Sequence, residues 1–442
     1  MIDIKWIRED PDRFKKAGTN KKVACDIDAL CSLDDRRRAL QKELDDLKHR
    51  QNELSSQIGH YRNPKSKWYQ QAVANGRTST QLAAEAQELM DEVARIKERV
   101  KTLEDEARDV NAAFEAALLT VPQPPADDVP LGADDTENVE LRRVGQVPEF
   151  GFQTKDHVAI MTELGMLDIE RGVKLAGTRN YVLRGDGAAL HRAVLQLAVD
   201  LMVERGFQQL MVPVLVRDEM MVGTGYYPGG EEQAYRCERD NLSLVGTAEV
   251  SLTAYHGDEI LSDDELPKKY FALSPCFRRE AGAAGKDTFG LYRIHYFDKV
   301  EQVIICKNDE QMSIEHHAEI LANAEELLAR LELPYRVVNV CTGDLGQGQV
   351  QKFDIETWMP SRNSYGETHS ASRFYEFQAR RLKLRYRDAD RKVRFCHTLN
   401  NTVIASPRIL IALVENHQTA EGAIRIPAAL RPYLGGRELL GA

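Results

Sequence analysis

Residues 277 to 301 read FRREAGAAGKDTFGLYRIHYFDKVE, a stretch that carries charge at both ends of a hairpin-like unit. It opens on Arg278, Arg279 and Glu280, has a Gly-rich middle, and continues as an apolar and aromatic segment that ends on Glu301. A guanidinium group is planar, always charged and bidentate, which suits phosphate, whereas a carboxylate at the end of an apolar strand suits an ammonium group. We therefore predict that the unit holds a polyanion at one end and a cation at the other. The alternative, from this segment alone, is a surface hairpin with scattered charges.

Length and charge limit the classes of protein to which the chain can belong. Its 442 residues are enough for two or three domains, and its net charge of −10 means that any contact with nucleic acid must rest on a local basic patch. The N-terminus is charged from residue 3 onward, and no run of apolar residues approaches the length of a membrane span, so we expect a cytoplasmic protein. The seven cysteines include no C-x-x-C pair, which favours reduced, mostly buried thiols over disulfides or a Cys-rich zinc site.

Two stretches of apolar residues follow the a and d positions of a heptad repeat. The first contains Leu33, Leu40, Leu44, Leu47, Leu54, Ile58 and Tyr61. The second contains Leu82, Leu89, Val93, Ile96, Val100, Leu103, Ala107, Val110, Phe114 and Ala117. This spacing predicts two long helices in an antiparallel coiled coil, an arm over residues 1–118 with its tip at about 61–80.

The predicted tip, YRNPKSKWYQQAVANGRTST, combines cations with aromatic rings and contains no acidic residue. That composition is typical of RNA contact, with Arg62, Lys65 and Lys67 as candidates. The alternative is a solvated loop whose aromatic residues cap the end of the coiled coil.

A proline-rich, acidic segment at 119–138 predicts a linker, and the pattern is mixed from 139 to 442. Helix-like stretches alternate there with strand-like runs, few of them in β-α-β order. The predicted strands are 209–216, 270–274, 296–306, 335–341, 353–358 and 392–397. We therefore predict an α+β domain in which helices pack on a largely antiparallel sheet.

Further motifs occur in a fixed order along this second domain. They read TAEV at 247–250, CTGDLG at 341–346, ETHS at 367–370 and HTLNNTVIASP at 397–407. Together with the 277–301 stretch and the coiled coil, they resemble the class II aminoacyl-tRNA synthetases, and within that class the bacterial type of seryl-tRNA synthetase. The resemblance extends over essentially the whole chain.

The resemblance implies a class II synthetase fold, an antiparallel sheet flanked by helices, and a homodimer. It implies an enzyme that activates serine with ATP and Mg²⁺ and transfers it to tRNA(Ser), and to the selenocysteine tRNA where one exists. The arm would reach across the dimer to the long variable arm of the tRNA. One alternative is a paralogue that passes activated serine, or another small amino acid, to a different acceptor, and another is an inactive tRNA-binding scaffold.

The resemblance also assigns roles to individual residues. The catalytic residues would be Arg278, Glu301 and Arg408. Serine would be bound by Thr247, Ala248, Glu249, Arg278, Glu301, Asn400 and Thr402. ATP would be bound by Arg278, Arg279, Glu280, Arg293, Ile294, His295, Tyr296, Phe297, Glu367, Thr368, His369, Ser370 and Arg408. Glu367 and Ser370 would hold Mg²⁺, because a carboxylate and a hydroxyl are the hard oxygen ligands that this ion prefers.

Other residues are expected to be structural, or depart from the family. His369 and His397 are predicted to be hydrogen-bonded framework residues, since adenylate formation needs no imidazole. Phe289 stands where the family usually has Arg, in a loop that resembles the one meeting the end of the tRNA acceptor stem.

Overall fold

The computed structural model describes residues 1–282 and 289–441, which form two compact units. The first, here called the helical unit, consists of Asp3–Lys15 and Ala24–Val121. The second, here called the sheet unit, contains Met1–Ile2, Lys16–Val23 and the chain from Pro122 onward. Lys16–Val23 therefore belongs to the sheet unit although it lies within the stretch predicted as the arm. The middle of the loop expected to meet the tRNA end, residues 283–288, lies outside the described residues.

The helices of the N-terminal region are α1 (Ile4–Glu9), α2 (Pro11–Asn20), α3 (Ile27–Arg62), α4 (Lys67–Ala74) and α5 (Ser79–Thr120). The two long helices, α3 and α5, pack as the predicted antiparallel pair. Ion pairs between them join Arg36 to Glu106 and Arg50 to Glu92, so the residue number rises on one helix as it falls on the other.

The buried seam between α3 and α5 consists largely of the predicted apolar residues. It contains Leu40, Leu44, Leu54, Val93, Ile96, Val100 and Leu103. Leu33, which the heptad spacing assigned to the seam, is only half-buried, and the neighbouring Asp34 is buried in its place.

The tip contains a helix, α4, that its composition did not indicate. Ser66 caps α4 by accepting a hydrogen bond from the Tyr69 amide. The Trp68 ring packs at 4.5 Å from the ring of Tyr61, and the Arg77 guanidinium lies about 6 Å from both rings. These ring contacts fit the capping alternative for the aromatic residues. The candidate RNA-contact residues Arg62, Lys65 and Lys67 are exposed.

Asp34 is the centre of an ion-pair cluster inside the helical unit. Its carboxylate is fully buried and lies 3.2 Å from Arg8, 2.6 Å from Arg37 and 2.8 Å from Arg38. The three guanidinium groups are partly exposed, so they keep much of their hydration while they satisfy the carboxylate. This arrangement pins α1 to the start of α3 without leaving a buried charge unpaired.

The helices of the sheet unit are α6 (His157–Glu163), α7 (Ile169–Ala176), α8 (Gly185–Glu204), α9 (Asp218–Thr224), α10 (Glu249–Ala254), α11 (Glu310–Arg330), α12 (Phe377–Leu382) and α13 (Arg408–Asn416). No helix within the described ranges is both long enough and apolar enough to cross a membrane.

The strands are β1 (Val139–Val144), β2 (Leu167–Asp168), β3 (Val182–Leu183), β4 (Gln208–Gln209), β5 (Leu215–Arg217), β6 (Arg236–Cys237), β7 (Leu242–Leu244), β8 (Ile260–Ser262), β9 (Lys268–Phe277), β10 (Tyr296–Cys306), β11 (Tyr335–Asn339), β12 (Gln351–Met359), β13 (Ser364–Tyr375), β14 (Arg385–Arg387), β15 (Val393–Phe395), β16 (His397–Ser406), β17 (Ile424–Arg425) and β18 (Leu439–Leu440). The run predicted as one strand over 209–216 is mostly irregular: β4 ends at Gln209 and β5 begins at Leu215. Pro213 lies between them and has no N–H to donate to a neighbouring strand.

The largest sheet has the strand order β1-β11-β12-β13-β16-β10-β9-β4, antiparallel except where the edge strand β4 pairs with β9. This confirms the predicted α+β fold with its antiparallel sheet. The helices α8, α11 and α13 pack on one face, where Val300, Leu399 and Val403 join the main core. Because side chains alternate along a strand, the residues between them point to the other face. That face carries the candidate site.

Replacing Asp34 by Asn should lower the free energy of unfolding by about 1–2 kcal/mol, because charge-assisted hydrogen bonds to partly exposed guanidinium groups would be lost. The loss can be measured as a lower urea midpoint for the disappearance of the helical circular dichroism signal of the full chain. Asp109→Asn is the matched control, since Asp109 lies in α5 and is 81% exposed. Equal stabilities for the two variants would contradict the role given to the buried cluster.

Candidate active site

A cavity of about 200 Å³ opens on the free face of the large sheet. Strands β10, β13 and β16 form its floor, and the ends of β9 and α13 supply its rim. It brings together the following predicted residues: Glu249, Arg278, Glu280, Ile294, Phe297, Glu301, Glu367, Thr368, Ser370, Asn400, Thr402 and Arg408. Strand register explains the floor, because Glu301 of β10 lies opposite Thr402 of β16.

Buried acidic groups form one end of the cavity. Glu301 is 1% exposed, and its carboxylate accepts a hydrogen bond from the Thr247 hydroxyl at 3.3 Å and forms an ion pair with Lys299. Glu249, at the start of α10, accepts hydrogen bonds from the Tyr226 hydroxyl at 2.7 Å and from the Gln378 amide at 2.8 Å. Two buried carboxylates thus share one buried ammonium group, which leaves this end able to accept a further cation.

Burial and the nearby Glu301 carboxylate raise the pKa of Glu249 from its ordinary value of 4.5 to about 7. The hydrogen bonds from Tyr226 and Gln378 and the charge of Lys299 oppose the rise. The Glu249 carboxyl group therefore changes its protonation state near neutral pH. A cation placed beside it would favour the ionised form.

Arginine residues form the opposite end of the cavity. The Arg278 guanidinium lies 5.1 Å from the centre of the Phe297 ring, and its Nε donates to the Gly246 carbonyl at 3.4 Å. Arg408, the first residue of α13, lies 4.4 Å from the centre of the Tyr292 ring. Guanidinium groups held in this way suit an anionic ligand such as phosphate.

Arg408 also reaches across to β13. It donates to the Glu367 backbone carbonyl at 2.9 Å, and it lies 3.6 Å from the Glu367 carboxylate. Partial burial opposes ionisation of Glu367, but the charges of Arg408, Lys352, Arg278 and Arg293 outweigh it and hold the pKa of Glu367 below its ordinary value.

The donor set on β12 and β13 fits a hard cation. Glu367 is half-exposed to the cavity and Ser370 lines it, so a carboxylate and a hydroxyl oxygen face the same space. Asp354 of β12 lies opposite Ser370 and interacts with its hydroxyl, and burial raises the pKa of Asp354 to about 7. Clusters of three or more His, Cys, Asp or Glu side chains that could hold a metal ion are absent from residues 1–282 and 289–441.

Several predicted ATP-binding residues lie outside the cavity lining. Arg279 points away, is half-exposed and lies 4.0 Å from Glu232. Arg293 donates to Glu280 at 3.4 Å. His295 contacts the Arg278 carbonyl through Nδ1, and Tyr296 is exposed with its hydroxyl near Asp298.

The buried predicted residues around the cavity have framework contacts. Ala248 is fully buried in a second apolar core, and the Thr247 hydroxyl also accepts from the Glu249 amide at 3.2 Å. Burial lowers the pKa of both His369 and His397 to about 4, so both rings are neutral at pH 7. His369 contacts the Thr368 hydroxyl and His397 the Ser313 hydroxyl, as expected of framework histidines.

Sequence reasoning missed Tyr226, Lys299 and Gln349, all of which line the cavity. Lys299 alternates with Phe297 and Glu301 along β10, so the strand period alone could have placed it on the same face. Tyr226 and Gln349 lie in loops that no periodic pattern marks.

Family models match both parts of the chain. The model of the class II tRNA synthetase core domain (G, H, P, S and T) matches residues 235–417. The model of the seryl-tRNA synthetase N-terminal domain matches residues 1–125.

Full-length relatives are similar in sequence and in structure. A serine–tRNA ligase of Deinococcus radiodurans is 46% identical over 441 residues, which cover 100% of this chain and 99% of the relative. The crystal structure of seryl-tRNA synthetase from Pyrococcus horikoshii complexed with ATP has a TM-score of 0.88 at 35% identity, and the match covers 100% of this chain and 99% of that one. The cytoplasmic serine–tRNA ligase of Naegleria fowleri in complex with AMP has a TM-score of 0.85 at 30% identity, over 100% and 98% of the two chains.

The antiparallel sheet, the cavity on its free face and the matching core model define a class II aminoacyl-tRNA synthetase. The N-terminal helices and the full-length similarity narrow this further. The chain belongs to the serine–tRNA ligase family, an aminoacyl-tRNA ligase family.

Replacing Glu249 by Gln should stabilise the fold in a pH-dependent way. The pKa of Glu249 is higher in the folded state than in the unfolded state. The free energy of unfolding therefore falls as the pH rises from about 4.5 to about 7, and it falls no further above pH 7. The variant should therefore gain up to about 3 kcal/mol over the parent at pH 8 and almost nothing at pH 4.5.

Urea unfolding of both proteins across this pH range measures the difference. Glu232→Gln is the control, since Glu232 is 88% exposed and its substitution should leave the stability curve unchanged. A constant difference between Glu249→Gln and the parent at every pH would contradict the assignment.

Proposed function

We propose that this chain activates serine with ATP and joins it to the 3′ end of tRNA(Ser) through the residues of the cavity described above. The observation that carries the proposal is the pairing, in one cavity, of a buried acidic end with an arginine end. Serine has an ammonium group and ATP a polyphosphate, so both substrates are accommodated when serine lies toward Glu301 and ATP toward Arg408. The Deinococcus radiodurans relative, named a serine–tRNA ligase, supports the same choice of amino acid.

Serine recognition would rest on Glu301, Glu249 and nearby hydroxyl groups. The two carboxylates bind the ammonium group and the side-chain hydroxyl, with Thr247 and Thr402 adding polar contacts. The Asn400 amide nitrogen is buried at the cavity without a protein hydrogen-bond acceptor among the described residues, so it is suited to donate to a bound substrate. Alanine should be rejected strongly, because it would leave these buried polar groups unpaired.

The first step forms seryl-adenylate. A serine carboxylate oxygen attacks the α-phosphorus of ATP, the bond from that phosphorus to the bridging oxygen breaks, and pyrophosphate leaves. Arg278 orients the attacking carboxylate and the α-phosphate, and Arg408 stabilises the charge that develops on the departing phosphates. Since the carboxylate of serine is already ionised at pH 7, the chain needs no general base here.

The second step transfers serine to the tRNA. A hydroxyl of the terminal adenosine attacks the carbonyl carbon of the adenylate, the bond from this carbon to the phosphate oxygen breaks, and AMP and a proton are released. We extend the proposal to the selenocysteine tRNA where one exists.

Glu367 and Ser370 would hold Mg²⁺. The half-exposed carboxylate, kept ionised by the surrounding cations, and the adjacent hydroxyl supply oxygen ligands of the kind this ion prefers. When bound, the ion would neutralise charge on the phosphates. Arg408 fixes the direction of Glu367 through its contacts with both the backbone and the carboxylate.

A homodimer is supported by apolar exposure at the β4 edge of the large sheet. The segment that follows β4 exposes Met211 completely and Leu215 by 43%, and Val203 at the end of α8 is 58% exposed. A second copy of the chain would cover these side chains. The cytoplasmic location stays a prediction.

The division into an arm at 1–118, a linker at 119–138 and a catalytic domain at 139–442 also stays a proposal. In it, the coiled coil of α3 and α5 binds tRNA through shape and backbone charge. The exposed cations Arg62, Lys65 and Lys67 at the tip support this role, and binding should weaken steeply with salt.

Replacing Glu301 by Ala should lower serine-dependent ATP–pyrophosphate exchange at least about 100-fold, because the ammonium group would lose its buried counter-charge and Lys299 its partner. The measurement is kcat/KM for serine at saturating ATP. Glu232→Ala is the control and should retain full exchange.

Full exchange by Glu301→Ala would show that the serine pocket is assigned wrongly. If the parent supports exchange with serine but charges no tRNA, the paralogue alternative is favoured. If the parent supports no exchange with any amino acid, a scaffold is favoured.

Removing residues 32–118 should leave serine-dependent exchange within about threefold of the parent and reduce tRNA charging at least about 100-fold, since the adenylate chemistry lies in the sheet unit while phosphate contacts dominate tRNA affinity. Charging of total tRNA and pyrophosphate exchange, measured on the same preparation, separate the two effects. Charging that survives the deletion would contradict the role proposed for the arm.

Neutralising Arg62, Lys65 and Lys67 together to Gln tests the tip without deleting it. A matched triple substitution of exposed cations elsewhere in the helical unit, Lys42, Lys97 and Lys101 to Gln, is the control. If the tip contacts RNA, the first variant should show a larger rise in KM for tRNA than the second.

A further inference from the structure

One lysine of the N-terminal segment is buried in the sheet unit. Lys21 follows α2 and is only 4% exposed. Its ammonium nitrogen donates to the backbone carbonyl oxygens of Gly346 at 3.2 Å, Gln347 at 3.4 Å and Gln349 at 2.5 Å. An ammonium group has three N–H donors, and the three carbonyl groups match them in number.

The residues that Lys21 contacts form a loop, here called the 346–350 loop, which leads into β12. The Gly346 amide donates to the Gln349 side-chain oxygen at 2.6 Å, so the loop is also closed on itself. The Gln349 side-chain nitrogen donates to the Ser372 hydroxyl of β13 at 2.8 Å. Gln349 and Ser372 both line the main cavity, so the conformation of this loop sets part of the cavity wall.

The loop meets the acidic end of the cavity rather than the arginine end. A second cavity of about 150 Å³ adjoins it, and residues 346–349 line this cavity together with Tyr226 and Glu249. Tyr226 donates the 2.7 Å hydrogen bond to Glu249. A shift of the loop would therefore change the surroundings of Tyr226 and Glu249 before those of Arg408.

Three carbonyl oxygens that converge on one point repel each other unless a cation lies between them. The Lys21 ammonium group supplies that cation in its protonated form, and burial lowers its pKa to about 7. Burying a charged group whose only partners are backbone carbonyl dipoles costs folding free energy. We therefore look for the use of this lysine in the conformation of the loop that it contacts.

We propose that Lys21 is a positioning residue for serine binding, which holds the 346–350 loop against the acidic end of the active site. The proposal rests on the function proposed above, because it assigns that end of the cavity to serine. Lys21 precedes Gly346 by 325 positions and belongs to a segment that the sequence analysis assigned to the arm. The proposal adds this residue to those that shape the amino-acid pocket.

The test is pyrophosphate exchange by Lys21→Met in the full chain, which removes the donors while keeping an unbranched side chain of similar length. We expect the KM for serine to rise at least about tenfold and the KM for ATP to stay within about twofold of the parent. Lys16→Met is the control, since Lys16 lies in α2, one turn or so before Lys21, and is exposed. It should leave both constants unchanged.

A double-mutant cycle separates positioning from general damage. Gln349→Ala removes the side chain through which the loop contacts Ser372, so the effects of Lys21→Met and Gln349→Ala on the KM for serine should be less than multiplicative in the double variant. Lys21→Arg, which keeps a cation and its donors, should give a smaller rise than Lys21→Met and provides the measurement if the latter does not fold.

Outcomes for the two proposals are distinct. A folded Lys21→Met protein whose KM values for serine and ATP rise equally, or do not rise, overturns the positioning role while the proposed function stands. If only Lys21→Arg folds, an equal rise in both of its KM values has the same meaning. Failure of the parent protein to catalyse serine-dependent exchange overturns the proposed function itself.

Discussion

The acidic end of the cavity depends on one electrostatic constraint, the burial of Glu249 and Glu301 beside a single cation, Lys299. Burial raises the pKa of Glu249, and repulsion from the Glu301 carboxylate raises it further. In the proposed function a substrate ammonium group would supply further positive charge, so its binding and the ionisation of Glu249 would favour each other.

The register of the large sheet creates this arrangement. Phe297, Lys299 and Glu301 occupy alternate positions of β10 and therefore share a face, while Val300 between them enters the main core. A slip of one residue between β10 and β16 would bury the charged set under α8 and α13 and expose the apolar one. The pairing that buries the apolar face therefore also fixes which charged residues face the cavity. For this reason the residues of the cavity floor come from neighbouring strands.

Sequence reasoning succeeded where a pattern is periodic or a motif is contiguous. The heptad spacing located the seam from Leu40 to Leu103, and strand β10 runs over the predicted residues 296–306. It failed where the decisive contact is distant in sequence or runs against local preference. Asp34 can be buried beside a seam position because three guanidinium groups surround it. One of them, Arg8, lies outside the heptad repeat, so the repeat could not predict this contact.

The same limit applies to the candidate active site. Arg278 and Arg408 belong to contiguous motifs, so they could be named in advance, and Lys299 could have been inferred from strand alternation. Lys21 could not, since it contacts backbone carbonyls, which any sequence can offer at positions 346, 347 and 349. The conformation of a loop decides whether such carbonyls converge, and loops carry no periodic signal.

The arginine end of the cavity is held largely by neutral partners. Arg278 is fixed by a ring and a backbone carbonyl, and Arg408 by the Tyr292 ring and the carbonyls of Tyr292 and Glu367. Such neutral partners orient a guanidinium group without cancelling its charge, in contrast to surface pairs such as Arg142 with Glu325. The Glu367 carboxylate lies 3.6 Å from Arg408, and in the proposed function it would serve as an oxygen ligand for a metal ion. In the proposed function the acidic end takes the ammonium group of serine and the arginine end takes the phosphates of ATP, an orientation that would bring the serine carboxylate toward the α-phosphate.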